Sequence, residues 1–166
     1  NAGDVLSVSE SDYKNAFNLL FQNTVNTSMA AIKEMKKNNW GRIINMASVS
    51  VKEPLSYLAL SNTIRSAVTS WGKTLSIESG KHNITVNNIL TGFFNTERLN
   101  QLNSEKAKKF NVSTEEVFDK MSEMVPLKRI GEPEEFGYLV AFLASDYADY
   151  INGTNIPIDG GLLKSM

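Results

Sequence analysis

The sequence predicts an α/β fold in which helices flank a parallel sheet, and three observations favour it. An apolar strand is predicted at 42–47 and another strand at 84–90, and the helical apolar spacing over 58–79 suits a crossover between parallel strands. A third strand is predicted at 154–158, after another helix that starts near Pro133. This alternation is typical of a doubly wound sheet. We therefore expect residues 1–166 to form a single domain that contains half of such a sheet.

The first half of the chain alternates helix, strand and helix. Apolar residues at helical spacing predict one long helix, or two joined helices, over residues 11–37. They are Phe17, Leu20, Phe21, Val25, Met29, Ile32 and Met35. The strand at 42–47 is apolar enough to lie centrally in a covered sheet, and the helix that follows buries a second stripe. That stripe consists of Leu60, Ile64, Ala67, Val68, Trp71 and Leu75.

The second half contains a long helical segment between the second and third strands. Residues 97–125 are charged and helical, and Ser113 to Glu116 fits a capping box. The larger segment, 93–125, leaves the second strand at its carboxyl end, where ligands bind in open parallel sheets, so we interpret it as a lid over a substrate pocket. An ordinary surface subdomain fits the spacing equally well. The helix from Pro133 is expected to bury Phe136, Leu139, Val140 and Leu143.

Composition excludes several functional classes. The net charge of −1 provides no field that would select nucleic acid or an anionic membrane. The chain has no cysteine, which excludes disulfides and thiolate metal sites, and its single histidine, His82, is interpreted as a surface-loop residue, so no metal site is expected. The longest apolar run, 138–144, is too short to span a bilayer, and no signal peptide is visible, so we expect a cytoplasmic protein.

The candidate site lies in residues 48–65, where the first strand passes into the second helix. α/β proteins place their chemistry at such strand-to-helix junctions. The stretch contains the hydroxyls of Ser48 and Ser61, the phenol of Tyr57 and the guanidinium of Arg65. Tyr57, Ser61 and Arg65 are spaced four residues apart and would share one face if the helix already covered all three.

Several motifs resemble those of the short-chain dehydrogenase/reductase family. The matching segments are 1–3 (Asn-Ala-Gly), 41–48 (Gly-Arg-Ile-Ile-Asn-Met-Ala-Ser), 126–135, 142–145, 153–154 and 159–161 (Asp-Gly-Gly). The resemblance implies a Rossmann-like fold and NAD or NADP as cofactor. It also implies a preceding strand, glycine-rich turn and helix that hold the cofactor's pyrophosphate, and this sequence contains no such turn. We therefore expect the chain, which opens at Asn1, to correspond to the later part of a family member.

An ungapped register carries the family's functional residues onto this sequence. Ser48 matches the family's serine, which bonds the substrate oxygen, whereas the catalytic tyrosine falls on Ser61 and its lysine on Arg65. The asparagine of the family's proton relay falls on Leu20. For the cofactor, the resemblance implies contacts from Asn1, Ala2, Gly3, Arg65, Thr91, Gly92 and Thr96.

Those replacements change the available chemistry. A phenol with a pKa of about 10 beside an ammonium is a workable acid, whereas a serine hydroxyl is weaker and shorter by a ring. Arg65 keeps its charge and could bond ribose hydroxyls or a developing oxyanion, but it does not release a proton. Tyr57, one helical turn before Ser61, could supply a phenol from the loop. Alternatively, Ser48, Ser61 and Arg65 could bind substrate as a different hydrogen-bonding cluster.

The leading functional expectation is an NAD(P)-dependent oxidoreductase that acts on an alcohol or carbonyl through a divergent site. The alternatives are a nucleotide-binding or structural homologue without turnover and, less favoured, a non-redox enzyme in the same pocket. The residues Phe93, Phe94, Leu99, Met121 and Met124 indicate an apolar small-molecule pocket. The resemblance also implies a homo-oligomer, a tetramer or dimer, that associates through the helices at 11–37 and 58–79.

Overall fold

The computed structural model describes residues 5–165, and their three strands form one parallel sheet. β1 (Gly41–Ser48), β2 (Ile84–Thr91) and β3 (Asn155–Ile158) lie side by side in that order. In this register Ser48 is beside Thr91, which is also the partner of the last residue of β3. The carboxyl ends of the strands therefore meet at one edge of the sheet. The predicted parallel α/β architecture is confirmed.

The predicted long helix contains a π-helical turn. α1 (Glu10–Ala16) runs into the π-helical turn Phe17–Gln22 and then into α2 (Asn23–Asn38), which ends at a left-handed Asn39. A π-helical turn accommodates an additional residue and is frequently found at functional sites. Apolar spacing alone does not register such an insertion.

One face of the sheet is covered by α2 and α3 (Ala59–Ser79), the crossover helix between β1 and β2. Side chains from all four elements form the core on this face: Ile32, Ile43, Leu75, Ile84 and Val86. A hydrogen bond from Arg65 to the Met46 carbonyl then ties the first part of α3 to the carboxyl half of β1. Helix and strand residues of the candidate site are thereby held on neighbouring elements.

The opposite face is covered by α6 (Pro133–Ala144), which begins with proline at its first helical position as expected. Leu143 is fully buried and packs with Ile89 of β2, with Phe136, Leu139 and Val140 partly buried around them. The predicted face of this helix is therefore turned towards the sheet. Helices on both faces explain why β2 is buried from Ile84 to Leu90.

Two helices occupy the segment after β2: α4 (Glu97–Phe110) and α5 (Thr114–Met124). Ser113 accepts a hydrogen bond from the Glu116 amide at 3.0 Å, which is one half of the predicted capping box. Among the helices described, none combines the length and apolar character needed to cross a bilayer.

Candidate functional site

Ser48 is the last residue of β1, and its hydroxyl organises the turn that follows. The hydroxyl oxygen accepts a hydrogen bond from the Ser50 amide at 3.2 Å, which caps the 3-10 turn Val49–Val51. The neighbouring Thr91 hydroxyl donates to the Ala47 carbonyl at 3.0 Å. Ser48 is therefore held at the carboxyl edge of the sheet, half-buried, beside the end of β2.

Ser61 and Arg65 lie one turn apart on α3 and contact each other directly. Arg65 Nε donates to Ser61 Oγ at 3.2 Å, and a terminal guanidinium nitrogen donates to the Met46 carbonyl at 2.9 Å. The second bond ties the guanidinium to β1, two residues before Ser48. The sequence prediction that these two positions share a helix face agrees with this contact.

The guanidinium of Arg65 is not neutralised by a carboxylate. Among residues 5–165, no Asp or Glu oxygen lies within 4 Å of it. Burial lowers the pKa of Arg65 from its ordinary value, but an arginine remains protonated at any physiological pH. A partly buried cation with unused donors favours an anionic or hydroxyl-rich ligand.

A cleft of about 530 Å³ runs between α2, the π-helical turn and β1, and Arg65 lies in its wall. Leu20, which the register places at the family's relay asparagine, also lines this cleft. Its side chain cannot hydrogen-bond, and its carbonyl already accepts the Thr24 hydroxyl at 2.7 Å. The remaining polar side chains of the α2 wall are Asn23, Thr24, Thr27 and Ser28.

Tyr57 is located away from this pair. α3 begins at Ala59, so Tyr57 lies in the preceding turn and does not share the helical face of Ser61 and Arg65. Its side chain is 48% exposed, and the Lys106 ammonium of α4 sits 5.8 Å from the ring centroid. The condition for a shared face, a helix that already covers residue 57, is not met.

The segment 91–96 joins the end of β2 to α4 through tight backbone contacts. The Gly92 amide donates to the Ile158 carbonyl at 3.0 Å, and a Cβ at this position would lie 2.8 Å from both Cα and Cβ of Asp159. Glycine is therefore required by a close backbone approach. Thr96 caps α4 by accepting the Leu99 amide at 3.3 Å.

An apolar pocket of about 300 Å³ lies between this segment, α4 and α6. Thr91, Gly92 and Thr96 line one side of it, and the remaining wall is formed by Met46, Phe93, Phe94, Leu99, Leu102, Pro133 and Phe136. The expectation of an apolar pocket is met by Phe93, Phe94 and Leu99. The expectation is wrong for Met121 and Met124, which do not line this pocket. Met121 is buried elsewhere in the helical segment, and Met124 is 62% exposed.

Met46 is a site residue that the sequence reasoning missed. It lines both the cleft that holds Arg65 and the apolar pocket, and its side chain is largely exposed. Its position two residues before Ser48 on the same strand was the available signal, because alternate strand residues face the same side. Asn1, Ala2 and Gly3, expected to contact cofactor, lie outside the described residues.

Comparison with known proteins identifies related chains. A family model described as enoyl-(acyl carrier protein) reductase matches residues 1–163. The NADPH-dependent reductase BacG of Bacillus subtilis is 39% identical over 132 residues, which is 80% of this chain and 51% of BacG. The chain therefore spans about half the length of this relative.

Solved structures of reductases also match this chain. YwfH, an NADPH-dependent reductase involved in bacilysin biosynthesis, superposes with a TM-score of 0.94 at 32% identity, covering 100% of this chain and 64% of YwfH. L-sorbose reductase from Gluconobacter frateurii, complexed with NADPH and L-sorbose, gives 0.95 at 27% identity with the same coverage. These similarities extend over the whole described fold.

Proposed function

Because the chain belongs to the short-chain dehydrogenase/reductase family, we propose that it forms the later part of an NAD(P)-dependent oxidoreductase acting on an alcohol or carbonyl. The observation that carries the proposal is the Arg65 guanidinium, which is anchored to Ser61 and to the β1 backbone and has no carboxylate partner among residues 5–165. It lies at the carboxyl end of parallel strands, where ligands bind in this class of fold. The proposal is also supported by relatives named as NADPH-dependent reductases.

The residues available suit a nicotinamide cofactor. The apolar pocket beside Thr91, Gly92 and Thr96 fits a flat aromatic ring, and Arg65 offers donors for ribose hydroxyls and local negative charge. Asn1, Ala2 and Gly3 are assigned to the cofactor by the family register. When bound and reduced, the nicotinamide supplies a hydride to the carbonyl carbon and is thereby oxidised, while the carbonyl oxygen takes up a proton.

In this proposal the chain's own residues bind and polarise the substrate. Ser48 donates a hydrogen bond to the substrate oxygen, and the Arg65 charge stabilises negative charge that develops nearby. Ser61 delivers the proton and is restored from solvent; Tyr57 is the alternative donor, which would have to reach the site from its turn. Segment 93–125 acts as the lid over the apolar pocket, through Leu99 and Leu102.

A second candidate is a homologue that binds nucleotide without turnover. It is favoured by Leu20, Ser61 and Arg65, which stand where the family register has asparagine, tyrosine and lysine. A third, weaker candidate is a non-redox reaction that uses Ser48, Ser61 and Arg65. All three candidate functions use the same pocket, so activity measurements are needed to distinguish them.

The experiment is a fluorescence titration of the protein from its complete reading frame with NADH and NADPH, followed by assays on a panel of alcohols and ketones. Binding with turnover supports the leading proposal. Binding without hydride transfer at any pH favours the second candidate, and absence of nucleotide binding eliminates both. An Arg65→Ala variant should weaken nucleotide binding and provides the control that the signal comes from this site.

We further propose a cytoplasmic homo-oligomer that associates through α1, α2 and α3. Exposed apolar side chains on these helices and the π-helical turn support it, namely Leu19, Met29 and Ile77. Light scattering at micromolar concentration tests the assembly, and a monomer would reject it. Cell fractionation tests the location.

A further inference from the structure

The turn that follows Ser48 is hydrogen-bonded to the segment 159–165 through the carboxylate of Glu53. Glu53 Oε1 accepts hydrogen bonds from the backbone amides of Lys164 and Ser165, both at 2.8 Å. These residues are more than a hundred positions away in sequence, so the contact is tertiary. Main-chain amides make the two strongest contacts, and the Ser165 side chain adds a weaker hydrogen bond to the same carboxylate.

The segment 159–165 has a defined structure of its own. The Asp159 carboxylate accepts the Gly161 amide at 2.9 Å through one oxygen and the Leu163 amide at 2.8 Å through the other. Gly160 and Gly161 have positive φ angles, which allow the chain to turn directly after β3. Leu162 and Leu163 then pack, together with Val51 of the turn, against the buried cluster of Ala47, Val49 and Leu90.

The turn itself connects Ser48 rigidly to Glu53. Ser48 Oγ accepts the Ser50 amide, and the Val49 carbonyl accepts the amides of Lys52 at 2.9 Å and Glu53 at 3.1 Å. The Ser48 hydroxyl and the Glu53 carboxylate are therefore joined by the hydrogen-bonded turn 49–53. A displacement of Glu53 would be transmitted to Ser48 through this hydrogen-bonded turn.

We propose that Glu53 is a positioning residue, which fixes the Ser48 hydroxyl by holding segment 159–165 against the turn 49–53. The proposal rests on the proposed function, in which Ser48 binds the substrate oxygen. The two amide bonds, from Ser165 and Lys164, lower the pKa of Glu53, so the carboxylate is ionised near neutral pH and is a stronger acceptor than a neutral group.

Because the donors are main-chain amides, proline provides a selective test. Glu53→Ala removes the acceptor, and a double variant, Lys164→Pro with Ser165→Pro, removes both donors without touching Glu53. The matched control, Lys164→Ala with Ser165→Ala, keeps both amides. Glu53→Gln keeps an acceptor oxygen and should rescue most of the effect, and Glu78→Ala controls for loss of an exposed carboxylate elsewhere.

Two readouts are required: amide hydrogen exchange over residues 49–53, and steady-state kinetics. We expect faster exchange in Glu53→Ala and in the double proline variant. We also expect kcat to fall about tenfold or more, because a displaced Ser48 hydroxyl contacts the substrate oxygen less well. KM for nucleotide should be unchanged. The Glu78 control should match wild type, and the alanine control should be affected far less than the double proline variant because it keeps both amides. Unchanged exchange in Glu53→Ala overturns the proposal, as does faster exchange with wild-type kcat.

The exchange measurement separates this proposal from the proposed function. If the wild-type protein shows no turnover on any substrate, the oxidoreductase proposal fails, and Ser48 has no measured role to position. Exchange over 49–53 then still decides whether Glu53 and the two amides hold the turn. If they do not, the positioning proposal fails independently of activity.

Discussion

Arg65 Nε donates to the hydroxyl of Ser61 at 3.2 Å, one helical turn earlier on α3. This bond occupies a lone pair of the hydroxyl oxygen and leaves its proton available for donation to another group. It also orients the guanidinium, whose terminal nitrogen reaches the Met46 carbonyl at the edge of β1. The pair thus presents a donor hydroxyl and a fixed positive charge from a rigid helix.

The first prediction concerns Arg65. Arg65→Ala removes a cation that has no carboxylate partner in the described residues, so nucleotide affinity should fall by about ten- to a hundredfold, as expected for charged hydrogen bonds. Arg65→Lys keeps the charge but loses the fork geometry and should bind with intermediate affinity. Fluorescence titration with NADPH measures both. Wild-type affinity in Arg65→Ala would remove the guanidinium from the cofactor site.

The second prediction compares the two candidate proton donors. Ser61→Ala should lower kcat by about a hundredfold or more, the usual contribution of a positioned acid. Tyr57→Phe should remain near the wild-type rate, because the ring is half-exposed and packs beside Lys106. Steady-state kinetics on one substrate decides between them. A slow Tyr57→Phe variant would transfer the proton role to Tyr57, and two unaffected variants would eliminate both residues.

The strands and helices of this chain could be predicted because their signals are local. Most of the stretch 84–90 is apolar, as is typical of a strand covered on both faces, and Pro133 marks a helix start through its fixed φ. The Ser61–Arg65 contact follows from helical spacing alone. These features depend on residues that are close together in sequence.

The features that could not be predicted depend on packing between distant segments. The π-helical turn around Leu20 has the composition of any amphipathic helix, and nothing in residues 17–22 marks the insertion. Met121 has the same apolar character as Leu99, yet only Leu99 lines the pocket. The Glu53 bonds to Lys164 and Ser165 use backbone amides, which the sequence does not distinguish from any others.

The third prediction follows from the ion pair between Arg129 and Glu135. Two hydrogen bonds of 2.7 Å from the guanidinium, and one from the Glu132 amide, lower the pKa of Glu135 from its ordinary 4.5 to about 2. The same contact raises the pKa of Arg129. A carboxyl group whose pKa is depressed by folding stabilises the folded state above its unfolded pKa, and this contribution disappears as the carboxylate is protonated.

The stability difference between wild type and Glu135→Gln should therefore be widest above about pH 5 and shrink as the pH falls through 4.5 towards 2. Urea denaturation across this range measures it. High salt should reduce the difference because both groups are exposed. Glu134→Gln, in the same exposed first turn of α6, is the control. A difference independent of pH would show that the charge of Glu135 does not contribute.

The last prediction contrasts Gly92, at the end of β2, with Gly137, inside α6. A Cβ at Gly92 would lie 2.8 Å from Cα of Asp159, and the backbone there cannot move without breaking the Gly92 amide bond to Ile158, so Gly92→Ala should cost about 1–3 kcal/mol or more. A Cβ at Gly137, inside α6, would meet nothing within 4 Å, so Gly137→Ala should stabilise by about 0.5–1 kcal/mol through helix propensity. Denaturant unfolding of both variants tests whether Gly92→Ala lowers the free energy of unfolding and Gly137→Ala raises it. A Gly92→Ala protein as stable as wild type would contradict the close approach of β2 and segment 159–165, on which the positions of both Thr91 and Glu53 depend.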